Sequence, residues 1–164
     1  MSRLFILRLG LVLALCGLLV GGYFLIQKKA PAPAVQWSQL DGKVGSLAAW
    51  KGRVVLVNFW ATSCVTCVRE MPNLVKTYEK FHDKGLEMVA VAMSYDRPDY
   101  VMNYVHSNRL PFQVGLDVDG KIAKAFGDVS LTPTTFLIDR QGNIVKKYIG
   151  EPDFEKLHVL LEGM

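Results

Sequence analysis

Val54-Val55-Leu56-Val57-Asn58-Phe59-Trp60-Ala61-Thr62-Ser63-Cys64-Val65-Thr66-Cys67 is the stretch that decides how this chain folds. Its first seven residues are nearly all apolar and rich in β-branched and aromatic side chains, the pattern of a strand buried on both faces. Residues 66–81 then repeat apolar side chains at helical spacing, with Met71, Leu74, Val75, Tyr78 and Phe81 on one side. Cys64 and Cys67 therefore stand three apart where a buried strand gives way to a helix. Unpaired N–H groups and the positive end of the helix dipole favour a thiolate at such a place. Cys64, at the very start, is expected to be the attacking nucleophile. Cys67, one turn inside, is expected to keep its proton longer and to resolve the mixed disulfide.

Working outward, Leu86–Met93 reads as a second buried strand, and Asp96-Arg97-Pro98-Asp99 as a helix start with Asp as cap and Pro near the first position. That helix should run to about Ser107 and bury Tyr100, Val101, Tyr104 and Val105. Phe112–Leu116 reads as a strand and Lys121–Phe126 as a short helix. Thr134–Ile138 and Ile144–Ile149 read as a hairpin turning on Asp139–Asn143, and Asp153–Leu161 as a final helix. Upstream, Trp37–Leu40 and Lys43–Ser46 flank the turn signal Asp41-Gly42. This order predicts an α/β fold: a mixed central sheet, parallel on one side, with helices on both faces.

At 164 residues the chain has room for about one domain. Leu9 to Ile26 carries no charge, is flanked by Arg3, Arg8, Lys28 and Lys29, and ends near Tyr23 and Phe24. Its length favours a membrane span over the shorter core of a cleaved signal. Four of the 19 basic residues belong to that flank, which leaves the remainder electrically balanced against 15 acidic residues. The net charge of +4 is thus no sign of nucleic-acid binding. The expected layout is an anchor over 1–29, an Ala/Pro linker over 30–36 and a domain over 37–164, with the domain outside the cytoplasm. Cys16 falls within the span and reads as a small apolar residue. The sequence before it superficially resembles a lipidation site but has Leu15 where a small residue is expected.

Other uses of the cysteine pair weigh less. A zinc site usually asks for two such pairs or for histidines at short spacing, and His82, His106 and His158 are scattered. An inert disulfide would close too small a loop to add much stability. A redox pair is the remaining reading, and its chemistry calls for no metal and no cofactor.

Residues 51–67, followed by Glu70-Met71-Pro72, together with Leu131-Thr132-Pro133-Thr134-Thr135-Phe136-Leu137-Ile138-Asp139, resemble the TlpA/ResA-like branch of the thioredoxin fold, related to CcmG and DsbE. The resemblance covers about residues 37–160. It implies a membrane-tethered, extracytoplasmic thiol–disulfide oxidoreductase that passes electrons to partner disulfides, often during cytochrome c or copper-oxidase maturation. A membrane thiol reductase would recharge it. It implies an active-site role for Glu70, which helical spacing places on the same face as Cys67. It also implies a cis bond before Pro133 that presents the Thr132 backbone to substrate, and a docking floor at Trp60. Ordinary thioredoxins have a buried Asp on the strand before the motif. Asn58 stands there, so proton handling should fall on Glu70. Ser63 is a departure, because relatives often carry a bulky residue just before the first cysteine. Pro72, inside the helix, reads as structural.

Two further functions share these residues. A copper-delivery module on the same fold usually spaces its cysteines one residue further apart and adds a distant His. A disulfide oxidase or isomerase would differ only in potential, and the family context favours the reductant.

Overall fold

The computed structural model describes residues 29–164 together with Cys16. The expected span over Leu9–Ile26 lies outside the described residues apart from Cys16, a free and exposed cysteine. Among the described residues no helix is long and apolar enough to cross a membrane. The chain divides into two units, Met1–Ala30 and Pro31–Met164. The sheet, the helices packed on it and the cysteine pair all belong to the second unit.

Seven strands form one sheet: β1 (Gln36–Gln39), β2 (Val44–Ser46), β3 (Val54–Trp60), β4 (Leu86–Ala92), β5 (Gln113–Leu116), β6 (Thr134–Ile138) and β7 (Ile144–Ile149). Their order is β2-β1-β5-β4-β3-β6-β7. The parallel pairs β5–β4 and β4–β3 sit in the middle, and antiparallel strands close both edges. This corrects the expectation of a sheet parallel on one side. The hairpins β1–β2 and β6–β7 each cap one edge of the parallel block. Four helices complete the domain: α1 (Val65–Phe81), α2 (Pro98–Asn108), α3 (Lys121–Ala125) and α4 (Phe154–Glu162).

Every residue of β3 is buried, and alternation along the strand sorts its side chains into two cores. Val54, Leu56 and Trp60 pack with Met71 and Leu74 of α1, Val101 of α2 and Leu157 of α4. Val55, Val57 and Phe59 pack on the other face with Ile122 of α3, Phe126 and Phe136. Asn58 shares the parity of Leu56 and Trp60, so the one polar residue of β3 points toward α1. That parity positions the site. On the second face Trp37 lies flat against Gly45 and Gly115, where a Cβ would collide with its ring.

Two local expectations are corrected. Asp96 does not cap α2: Arg97 occupies the cap position and its side chain makes no capping bond, and Asp96 is bonded elsewhere. Tyr100 of that helix is exposed and only Val101 is fully buried, with Tyr104 and Val105 partly so. The Ala/Pro segment is no free linker either. Pro31 bridges Asn143, the Ala32 amide donates to Gly142 O at 2.8 Å, and Leu47 donates to Val35 O. Ala32 and Val35 pack against the core, and the second compact unit starts at Pro31.

Candidate active site

Cys64 is the N-cap of α1, and its sulfur accepts a hydrogen bond from the Cys67 amide at 3.2 Å. A sulfur in that position takes the place of the usual Ser or Asp oxygen. A negative charge on it meets a backbone donor and the positive end of a 17-residue helix. Cys64 is partly buried and Cys67 fully so, and the two are joined in a disulfide. The structure is thus the oxidised form.

Three loops meet over this disulfide. The peptide between Thr132 and Pro133 is cis, and Cys64 Sγ lies 3.6 Å from Thr132 O. Pro133 O in turn accepts from the Gly150 amide at 2.8 Å, tying this loop to the end of β7. Asp96, in the loop after β4, accepts from both the Thr62 amide and the Thr62 hydroxyl at 2.6 Å. Its neighbour Tyr95 bonds the Thr132 hydroxyl at 3.3 Å. One loop therefore braces both the segment leading into Cys64 and the segment facing it.

Beneath the cysteines Glu70 is completely buried. The Asn58 amide donates to Glu70 Oε1 and to Thr135 Oγ1, both at 2.9 Å, which joins β3, α1 and β6 in one polar knot. Glu70 Oε2 and Asn58 Oδ1 have no hydrogen-bond partner among the described residues. Burial pushes the Glu70 carboxyl up to about 7, partly offset by the bond from Asn58. A carboxyl titrating near neutrality can take up or release a proton at physiological pH, one turn along α1 from Cys67.

Of the expected site residues, Cys64, Cys67, Thr132 and Pro133 come together at one end of the sheet, with Glu70 directly below. Trp60 is a correction. Its ring is 0% exposed, packs on Tyr104 at 5.2 Å between centroids and leaves Nε1 without a partner among the described residues. A ring with no surface cannot touch a docked protein. Sequence reasoning missed the bracing role of Asp96 and Tyr95, because Asp two residues before Pro mimics a helix cap. It also missed the apolar surface formed by Val65, Leu131 and Ile149, each more than 60% exposed. The signals were available: Val65 lies between the cysteines, Leu131 precedes Thr132, and Ile149 pairs with Thr134.

His158 is held elsewhere. Its Nε2 bonds Thr77 Oγ1 at 2.9 Å and its ring packs on Phe81. Thr77 lies ten residues along α1 from Cys67, roughly 15 Å on the helix axis, so His158 is no partner for the cysteine sulfurs.

Comparison with known proteins agrees with this geometry. The Redoxin family model matches residues 27–160. The thiol–disulfide oxidoreductase ResA of Bacillus thuringiensis subsp. konkukian is 37% identical over 164 aligned positions, covering 94% of this chain and 93% of that protein. ResA of Bacillus subtilis is 35% identical, covering 95% and 90%. A crystal structure of a thioredoxin-family thiol:disulfide interchange protein from Chlorobium tepidum superposes with a TM-score of 0.76 at 27% identity, covering 83% of this chain and 96% of that one. The fold is thioredoxin-like, and the chain belongs to the redoxin family as a thiol–disulfide oxidoreductase of ResA type, working through Cys64 and Cys67.

Proposed function

We propose that the protein is a membrane-tethered, extracytoplasmic reductase of partner-protein disulfides, of the kind that serves cytochrome c or copper-oxidase maturation. The tether is the uncharged stretch Leu9–Ile26, which would confine exchange to partners near the membrane and raise their effective concentration. The observation that carries the reductant direction is the buried Glu70 carboxyl beside the cysteine pair. Negative charge there disfavours thiolates and so favours the disulfide, which lowers the potential and makes the dithiol a donor.

In the forward reaction the Cys64 thiolate attacks one sulfur of a partner disulfide. The partner S–S bond breaks, its first thiolate leaves and takes a proton, and a Cys64–partner disulfide forms. Cys67 gives its proton to Glu70 and attacks Cys64 Sγ, expelling the second partner thiolate, which takes a proton from water while Glu70 returns its own to water. The partner gains two electrons and two protons, and the protein is left in the disulfide form seen here. A membrane dithiol donor then returns it to the reduced state. Thr132, facing Cys64, offers its backbone to the partner chain beside Pro133. The apolar surface of Val65, Leu131 and Ile149 surrounds the point of attack.

Two measurements test this reading. The Cys67→Ser variant should accumulate mixed disulfides with partners through Cys64, because resolution is blocked. The midpoint potential of the wild-type pair should fall near the thioredoxin value of about −270 mV. A potential near that of a strong oxidant, about −120 mV, would overturn the proposed direction.

A further inference from the structure

An open groove of about 600 Å³ lies beside the reactive loop, lined by Thr62, Ser63, Tyr100, Asn103, Tyr104 and Ser107, with Asn108 at its end. It shares Thr62 and Ser63 with the segment that leads into Cys64, and has none of Leu131, Thr132 or Pro133 among its walls. Its walls are firm. Thr62 is fixed by its two bonds to Asp96, and Tyr104 rests on the buried ring of Trp60. The Asn108 amide is spent on Tyr104 O at 2.9 Å. The side chains of Ser63 and Asn103 are exposed and bond no other described residue, so their polar groups are available to a ligand.

No lining residue is charged. The nearest guanidinium, on Arg97, stacks over Tyr100 at 4.6 Å and is paired with Asp99. A charged side chain entering the groove would find no free counter-charge, since Asp96 behind Thr62 is spent on that residue's amide and hydroxyl and Arg97 is paired with Asp99. An aromatic side chain would find the faces of Tyr100 and Tyr104, and an amide would find Asn103 and Ser63. Ser63 directly precedes Cys64, which sets this opening next to the point of attack. A bulky side chain at position 63 would fill it.

We infer that this groove is a specificity subsite for the partner segment flanking the reacting cysteine, and that it selects uncharged side chains, aromatic or amide-bearing. The inference rests on the proposed reductase reading, and the test separates the two. Reduced full-length protein is mixed in single turnover with short peptides whose one cysteine is a mixed disulfide with thionitrobenzoate, flanked by Tyr, Gln, Glu or Lys. The protein dithiol supplies both electrons, and the products are the peptide thiol, thionitrobenzoate and the protein disulfide. Each rate is divided by the same protein's rate on the small symmetric disulfide of thionitrobenzoate. The Tyr and Gln peptides should react about tenfold faster than the Glu and Lys peptides, a difference of about 1.4 kcal/mol. Ser63→Trp should erase that preference, and Asn103→Asp should turn it toward the Lys peptide. Equal normalised rates in the wild type, or an Asn103→Asp variant that leaves the Lys-to-Glu ratio unmoved, would overturn the subsite alone. Failure to reduce even the small disulfide would overturn the reductase reading and the subsite with it.

Discussion

Asp139 and Thr132 bracket β6, and the polar groups around them are treated in opposite ways. At the Asp139 end, Arg140 spreads its guanidinium over the carbonyls of Gly52, Lys84 and Met164 at 3.0–3.3 Å. Asp139 accepts from the amides of Gln141 and Asn143, and Pro31 and Ala32 are pinned to the same turn. At the Thr132 end, Glu70 Oε2, Asn58 Oδ1 and Trp60 Nε1 are buried without partners among the described residues. Apolar side chains there are left in solvent. A buried polar atom left unsatisfied costs about 1–3 kcal/mol, so this end, with three such atoms against Arg53 Nε beside the other, gives up more stability. The first end fastens the domain and the second carries its chemistry.

Altering Glu70 should break that contrast most strongly. Its carboxyl titrates near 7 in the folded protein against an ordinary value of 4.5. A group raised on folding supports the fold below its unfolded pKa and loses that support as pH rises through its folded pKa. The oxidised wild type should therefore lose up to about 3 kcal/mol of stability between pH 4.5 and above 7. Glu70→Gln should flatten that slope, as read by denaturant unfolding across the same range. At the fastening end, Arg140→Ala should cost about 1–2 kcal/mol through three lost hydrogen bonds on a solvent-exposed side chain. It should leave the rate of disulfide exchange unchanged, since the substitution lies a full strand length from Cys64. The smallest effect belongs to Tyr95→Phe, which removes only the 3.3 Å contact to Thr132. Its cost should stay under about 0.5 kcal/mol in an equilibrium melt, because the lost partner is exposed to water.

Much of this contrast is legible in the amino-acid order. The strands Val54–Trp60 and Leu86–Ala92 announce themselves because both are buried on both sides, so nearly every residue must be apolar. The cysteine pair is legible because a strand-to-helix junction is a local event. What depends on contacts across the fold is harder to read. Asp96 has the sequence neighbours of a helix cap, yet its carboxylate is taken by Thr62, 34 positions away. The Ala-Pro run has the composition of a spacer, and composition says nothing of a bridge to Asn143. Trp60 had the needed information in its own strand, since a residue buried on either face has no surface left for docking. Ser63 marked an opening before Cys64, but only the distant α2 supplies the far wall.

The central claim is that Cys64 is the ionised, reachable sulfur while Cys67 is held back. The direct test is the rate of iodoacetamide alkylation of each cysteine in the reduced protein as a function of pH, resolved by peptide mass. The structure predicts that Cys64 reacts first, with a midpoint below the free-thiol value of about 8.5, and that Cys67 stays protected until the protein is unfolded. Equal labelling of the two, or a Cys64 midpoint at or above the free-thiol value, would contradict it.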